Sequence, residues 1–106
     1  MEIITSARDL VVGDVLFIAR KIVPRDGRDP FWWRAYWIVE RVLNMTYVEV
    51  MLLKMHPDPE KDHRTFGLGD TPDEQIIQYL HPDEYPQGVQ AMRIKHIQQG
   101  RIKLSG

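Results

Sequence analysis

The first half of the chain alternates between apolar and polar positions in the manner of β-strands. In residues 15–23 both alternating sets are largely apolar, which is typical of a strand that is sandwiched or lies in a strongly curved sheet. In residues 31–43 the set that contains Trp33 and Trp37 is apolar, whereas the opposite set mixes aromatic and charged side chains. Residues 46–55 alternate again, so this half predicts three strands.

Turn-forming residues separate these strands. Residues 24–30 carry a proline at each end and Asp-Gly in the middle, which predicts a polar loop too long for a two-residue hairpin. The alternation fails near residues 40–42, which indicates a bulge or a bend in the second strand. Residues 56–70 then predict a loop that runs into a short piece over residues 64–69.

One helix is predicted near residues 71–81. A threonine, a proline and a glutamate at positions 71, 72 and 74 fit a capping box with proline at the first helical position. Ile76, Tyr79 and Leu80 then recur at the spacing of a helical stripe. The proline at position 82 disfavours helix in the residue before it and ends the element there.

The last residues fit either of two assignments. Residues 89–97 predict a strand, followed by a turn at Gly100 with positive φ and a closing strand over residues 101–104. A helix over residues 89–99 is the alternative. In the first assignment four basic residues share one face of a terminal hairpin, which suits either a solvated, charged edge or contact with phosphate. They are Arg93, Lys95, Arg101 and Lys103.

The length and composition of the chain exclude several classes of protein. The chain has 106 residues, room for one domain over residues 1–106. Its lack of cysteine excludes disulfides, a thiolate zinc site and a cysteine nucleophile. No apolar run approaches the ~20 residues that cross a bilayer, and the first residues lack the features of a signal peptide. We therefore expect a cytoplasmic protein without membrane contact.

The net charge of −1 hides an uneven layout. Residues 56–86 carry two basic and eight acidic side chains, whereas residues 87–106 carry four basic and no acidic ones. Such segments either fold against each other and neutralise, or present separate faces that steer charged partners.

Basic and aromatic side chains converge on the loop over residues 24–30 and on the polar face of the second strand. Guanidinium groups match phosphate geometry, and exposed aromatic rings offer bases a stacking platform. The alternative is ordinary packing, with tryptophans in the core and arginine stems over apolar surface. On the first interpretation the nucleic-acid-binding residues are Arg25, Arg28, Trp32, Arg34, Tyr36, Arg93 and Lys95.

Metal binding and catalysis have weaker support. Residues 56–63 place His, Asp and Glu at alternating positions, but two prolines stiffen the run and it lacks the glycine turn of a calcium loop. It therefore predicts a solvated acidic loop. The Gly-Leu-Gly at residues 67–69 lacks the lysine of a phosphate-binding loop, and no histidine stands in a nucleophile motif. We expect no catalytic residue, no metal and no cofactor.

Several short motifs occur in an order that resembles a known family. They are VGDVLFI at residues 12–18, WIVERV at 37–42, the predicted helix near 71–81, Tyr-Pro at 85–86 and the predicted strand over 89–97. This order resembles the ASCH group of PUA-like β-barrels, whose members are linked to RNA binding and, in some, to hydrolysis of modified nucleosides. That group carries a glycine–lysine and arginine motif before the Gly-Asp strand. The residues before Gly13 contain no lysine, so the resemblance implies a relative without that chemistry.

The expected fold is mainly β: a small, strongly bent PUA-like or SH3-like barrel or half-barrel with one short helix. Barrel closure lacks a front strand beyond residues 2–5. Because a short chain has a limited core, we expect a second copy to cover edge strands in a homodimer. The expected core residues are Val15, Phe17, Trp33, Trp37, Val48, Val50 and Leu52.

Three functional hypotheses follow. The first is a non-enzymatic module that binds RNA or single-stranded nucleic acid through the basic and aromatic strand face. The second is a protein-interaction or regulatory adaptor that uses the same face and the acidic loop over residues 56–70. The third, ranked last because the family lysine is missing, is an amidohydrolase-like enzyme that acts on modified nucleosides.

Overall fold

The residues that the structure describes form one antiparallel sheet, one α-helix and a short 3₁₀ helix. The structure, a computed structural model, describes residues 2–69 and 74–104. Its strands are β1 (Glu2–Ile3), β2 (Val15–Ile22), β3 (Phe31–Val42), β4 (Tyr47–Leu52), β5 (His63–Gly67) and β6 (Gln75–Tyr79), in the sheet order β1-β6-β2-β3-β4-β5. A short 3₁₀ helix (Pro82–Glu84) and helix α1 (Gln87–Gln98) follow. The prediction of a mainly β fold is confirmed.

The sheet is strongly bent. The side chain of Gln75, at the start of β6, donates a hydrogen bond of 3.1 Å to the carbonyl oxygen of Gly67, at the end of β5. Three strands separate β5 from β6 in the sheet order, so this contact requires the sheet to curl. In the described part of the chain the two edge strands, β1 and β5, do not pair with each other, and the sheet stays open.

Both faces of the central strands are covered, as the apolar pattern of residues 15–23 predicts. The inner face of the bend holds one core cluster, formed by Ala7, Leu10, Leu16, Ile18, Trp37, Val39, Val48, Val50, Phe66, Leu68 and Ile77. The outer face holds a second cluster against α1 and the chain end. Its members are Val15, Ile38, Met51, Leu53, Leu80, Val89 and Ile102.

Strands β2 and β3 extend beyond their neighbours. Strand β4 pairs with β3 only as far as Trp37, so residues 31–36 of β3 have no β4 partner. Strand β6 pairs with β2 only as far as Arg20, whereas β2 and β3 pair with each other out to Ile22 and Phe31. We call this projecting end, residues 20–34 with its loop, the β2–β3 ribbon. The predicted bulge is confirmed, since the β3–β4 register shifts between Val39 and Arg41.

The helix predicted near residues 71–81 is wrong. Residues 71–73, which carry most of the capping signal, lie outside the described residues, and Gln75–Tyr79 forms strand β6 between β1 and β2. In this strand Ile77 faces the inner cluster. Pairing with β1 and β2 satisfies the backbone of this segment from both sides, which outweighs its local helical pattern.

The strand predicted over residues 89–97 is also wrong, and the alternative helix is confirmed as α1. Gly100 has positive φ, as expected, at 77°. Residues 101–104 form no strand, so the terminal hairpin is absent and its four basic residues lie on α1 and the segment after it. The physical reason is that Val89 and Ile102 cover the outer face of the sheet, which a hairpin edge would leave open.

The predicted core is largely confirmed. Val15, Trp37, Val48 and Val50 are buried, while Phe17 and Leu52 are half-buried. The prediction of Trp33 as a core residue is wrong, because 39% of its surface is exposed. It lies on the apolar face of β3, but in the ribbon, beyond the point where β4 pairs with β3, so its ring is only partly covered.

The two edge strands are short. Residues 2–5, beyond which the sequence predicts no front strand, contribute the two-residue strand β1. The loop predicted over residues 56–70 contains β5, which overlaps the short piece predicted over residues 64–69. Among the described residues, none of the helices has the length and apolar character that a bilayer crossing requires.

Candidate nucleic-acid interface

Four of the predicted binding residues lie together on the β2–β3 ribbon. Arg25 and Arg28 are exposed in its loop, and Arg34 is exposed on the outer face of β3. Trp32 is half-buried on the same outer face, opposite Lys21 of β2 in the strand register. Lys21 adds a cation that the sequence pattern missed, because only the pairing of β2 with β3 places it beside Trp32.

The acidic residues of the loop offset part of this charge. The Nε atom of Arg28 lies 2.7 Å from Oδ2 of Asp26, and both side chains are exposed. Exposed ion pairs are worth about 1 kcal/mol or less, so Arg28 can exchange this partner for a phosphate. Asp29 is the other carboxylate of the loop. Cations therefore outnumber carboxylates on the ribbon.

Tyr36 lies where the ribbon meets the covered part of the sheet. Its ring centroid is 5.0 Å from that of Phe17, and both rings pack against the outer cluster. The side chain is half-buried. Tyr36 therefore offers less ring surface than a fully exposed stacking residue.

Arg93 and Lys95 lie elsewhere. Arg93 donates a hydrogen bond of 2.7 Å from Nε to the carbonyl oxygen of Gly13, and its guanidinium carbon is 5.7 Å from the centroid of the Tyr85 ring. Gly13 precedes β2, whereas the ribbon loop follows it. An eight-residue strand spans about 25 Å, so the structure does not bring Arg93 and Lys95 to the ribbon.

The surroundings of Arg93 affect a nearby carboxyl group. Burial raises the pKa of Asp14, while the backbone N–H of Val11 and the charge of Arg93 oppose that rise. Oδ2 of Asp14 accepts a hydrogen bond of 2.8 Å from the N–H of Val11. Through these contacts Arg93 has a structural role at the start of β2.

The inner face of the ribbon carries a second group of residues, which sequence reasoning missed. A cavity of about 330 Å³ opens there. We call it the ribbon cleft. It is lined by Arg20, Ile22, Phe31, Trp33, Arg64 and Phe66. The available signal was the arginine at position 20, which continues the apolar set of residues 16 and 18.

One acid–base pair lies away from the ribbon. Nδ1 of His63 on β5 contacts Oε1 of Glu40, which lies at the bulge of β3. Burial raises the pKa of Glu40, the charge and hydrogen bond of His63 lower it, and Glu49 raises it further. The pair joins β3 to β5 across β4. Among the described residues, no group of three or more potential ligands could hold a metal ion.

Comparison of the chain with protein-family models, curated proteins and solved structures gives no match. The functional interpretation therefore depends on the geometry of the ribbon.

Proposed function

We propose that this protein is a non-enzymatic module that binds RNA or other single-stranded nucleic acid through the β2–β3 ribbon. Lys21, Arg25, Arg28 and Arg34 contact phosphates, and Trp32 stacks on a base. The observation that carries the proposal is that these side chains share one end of the molecule, where neither α1 nor another strand covers the outer face.

The chemistry of the ribbon suits a single strand better than a duplex. A tryptophan ring stacks on a base only where the base is unpaired and accessible. Such stacking contributes about 1–3 kcal/mol per base and tolerates any sequence. The arginines supply contacts to phosphate that set affinity rather than sequence preference.

The remaining predicted residues contribute less to nucleic-acid binding than the ribbon residues do. Tyr36 extends the aromatic surface from Trp32 toward the centre of the sheet. Arg93 and Lys95 contact only a strand long enough to run the length of β2. We therefore assign the short-oligonucleotide site to the ribbon alone.

The proposal includes the relationship to PUA-like barrels of the ASCH group and a cytoplasmic location. The Gly-Asp pair at residues 13–14 leads into β2, WIVERV lies in β3, and the sheet is strongly bent. These observations support the relationship. Two elements of the resemblance differ, because Gln75–Tyr79 is a strand and Gln87–Gln98 is a helix.

A protein partner is the second candidate. Strand β5 has β4 on one side and, in the described residues, no strand on the other. Such an edge accepts a strand from another protein or from a second copy of this chain. If the protein binds a partner through β5, substitutions in the ribbon do not change the affinity for that partner. This difference separates the two candidates.

Fluorescence anisotropy with labelled oligonucleotides tests the proposal. We expect the protein to bind single-stranded RNA more tightly than the corresponding duplex. Trp32→Ala should weaken binding about 5- to 150-fold, the loss of one stacking contact. The double variant Arg25→Ala/Arg28→Ala should reduce the slope of log K against log salt by about 1.4, because each phosphate contact to a single strand contributes about 0.7.

Arg41→Ala is the matched control. Arg41 is exposed on the same strand as Arg34, but beyond the bulge and away from the ribbon. It should bind as the parent does. Equal affinity of the parent, the Trp32→Ala variant and the double variant would contradict the proposal, as would a parent protein that binds no oligonucleotide.

A further inference from the structure

We propose that the ribbon cleft binds a nucleoside monophosphate unit, with the ring against Phe31 and Trp33 and the phosphate between Arg20 and Arg64. This inference deepens the proposed function and rests on it, since the unit is either the phosphorylated end of a bound strand or a free mononucleotide. The site lies on the inner face of the sheet, opposite the outer face that carries Trp32 and Arg34.

Three strands build the cleft. Arg20 comes from β2, Phe31 and Trp33 from β3, and Arg64 and Phe66 from β5. The bend of the sheet brings β5 over the inner face of the ribbon. A volume of about 330 Å³ falls within the usual range for small-molecule sites, about 300–1,000 Å³.

The charges of the cleft select an anion. Arg20 and Arg64 both line it, and none of the other lining residues is acidic. In the described part of the chain, no carboxylate forms an ion pair with either guanidinium. Two like charges on one cavity repel each other, and a bound phosphate relieves this repulsion with hydrogen bonds that match the guanidinium fork.

The aromatic residues select a planar ring. Phe31 is 48% exposed and Trp33 is 39% exposed, although both lie on the apolar face of their strand. The ring centroid of Trp33 is 5.9 Å from that of Trp37, which in turn is 5.2 Å from that of Phe66, and both contacts are edge-to-face. These contacts hold the Trp33 ring in place from the core side and leave its other surface to the cleft. A ring preorganised in this way stacks at low entropic cost.

Together these features distinguish a nucleotide from its parts. Inorganic phosphate satisfies the arginines and leaves the aromatic rings in water. A nucleoside covers the rings and leaves the arginines without an anion. Only the monophosphate engages both, so we expect its affinity to exceed that of either part.

Calorimetric titration of the protein with uridine 5′-monophosphate, uridine and inorganic phosphate tests the inference. We expect the monophosphate to bind at least tenfold more tightly than either part. Arg20→Ala and Arg64→Ala should each weaken it at least fivefold, and Arg41→Ala, which replaces an exposed arginine outside the cleft, should not. Equal affinities for the monophosphate and inorganic phosphate overturn the inference, as do unchanged affinities in both arginine variants.

Indole N–H resonances show which face binds. The Trp33 resonance, assigned with Trp33→Phe, should shift on titration with the monophosphate more than that of Trp32. A shift confined to Trp32 places the nucleotide on the outer face and overturns the inference. Binding of RNA that depends on Trp32 but not on a 5′-phosphate, with no binding of the monophosphate, overturns this inference and leaves the proposed function intact.

RNA oligonucleotides with and without a 5′-phosphate separate the two sources of the unit. If the cleft holds a strand end, the phosphorylated oligonucleotide binds more tightly and Arg20→Ala abolishes the difference. If it holds a free mononucleotide, the two oligonucleotides bind equally while the monophosphate still binds. Both results support the inference. Failure of the monophosphate to bind, together with equal binding of the two oligonucleotides, overturns it.

Discussion

Nε2 of His96 lies 2.8 Å from the carbonyl oxygen of Lys54, which joins helix α1 to the chain that leaves strand β4. Because a carbonyl oxygen only accepts hydrogen bonds, Nε2 carries the proton and Nδ1 is the unprotonated nitrogen. Nδ1 is buried and has no partner among the described residues. His96 is 0% exposed, so its neutral form is part of the folded structure.

The first prediction concerns the dependence of stability on pH. Burial lowers the pKa of His96, the Lys54 carbonyl opposes this, and the charges of Arg101 and Lys95 lower it further. The unfolded chain, with a histidine pKa of about 6.5, therefore binds more protons than the folded one as pH falls. We expect the free energy of unfolding to decrease from pH 7.5 to pH 5.0.

Urea unfolding of the parent and of His96→Gln at both pH values checks this. Glutamine keeps a donor for the Lys54 carbonyl but does not titrate, so the decrease should be smaller in the variant. The comparison also removes the contributions of Asp14 and Glu40, whose raised pKa values act in the opposite direction. An identical decrease in both proteins would show that His96 does not titrate on unfolding.

The second prediction concerns the carboxylate that orders the loop before β5. Asp62 is 3% exposed, lies 3.0 Å from Nζ of Lys54, and accepts a hydrogen bond from the N–H of Asp58. Burial alone would raise its pKa, but these two contacts and the charge of His63 leave the pKa lowered. Its stabilising effect is therefore present above pH of about 4 and is lost as pH falls below that value.

Asp62→Ala leaves the Asp58 N–H and the Lys54 ammonium without this acceptor. We expect a loss of about 1–3 kcal/mol in the free energy of unfolding at pH 7. Asp83→Ala, which removes an exposed carboxylate from the 3₁₀ helix, is the control and should change stability by no more than about 0.5 kcal/mol. Equal stability of the two variants would contradict this role.

The strands of the first half were predictable because each shows its own pattern. Strand β2 is an eight-residue run that is largely apolar on both faces, and strand β3 alternates over most of its twelve residues. The loop between them begins and ends with proline. Strand β6 has only five residues. Its apolar side chains fit the helical stripe of Ile76, Tyr79 and Leu80 as well as the strand alternation of Ile77 and Tyr79. Its partners β1 and β2 lie far away in the sequence. A local pattern contains no information about such partners.

The sequence of helix α1 fitted either a strand or a helix, for a different reason. Most of its buried and half-buried side chains follow helical spacing, at Val89, Met92, Arg93, His96 and Ile97, and Lys95 is also half-buried. Arg93 and His96 are polar, however, so the stripe is not apolar in the sequence. Their partners are the backbone carbonyls of Gly13 and Lys54. Only the folded chain supplies those acceptors, and the same holds for the ribbon cleft, which needs the bend of the sheet.

The third prediction concerns the centre of the inner core. Trp37 is 1% exposed, and its Nε1 has no hydrogen-bond partner within the described residues. Trp37→Ala should cost about 3–5 kcal/mol, as large-to-small core substitutions do. Trp37→Phe keeps an aromatic ring against Phe66 and removes the unpaired N–H, so it should cost distinctly less. Urea unfolding, monitored by circular dichroism, measures the free energy of unfolding of both variants. Equal losses would show that the unpaired N–H does not destabilise the folded protein.

The last prediction contrasts two glycines that differ in backbone conformation. Gly13 has a φ of 96°, and a Cβ atom there would meet Cδ2 of Leu104. Leu104 is exposed at the chain end and can move aside, so the conformation dominates the cost of Gly13→Ala, about 1–2 kcal/mol. Gly88 lies in the first turn of α1 without positive φ and with nothing within 4 Å of an added Cβ. There alanine reduces the conformational freedom of the unfolded chain, so Gly88→Ala should stabilise the protein by about 0.4–1 kcal/mol.

Thermal unfolding of the two variants checks this contrast. The two substitutions should shift the midpoint of unfolding in opposite directions, and shifts of the same sign would contradict the assigned backbone conformations.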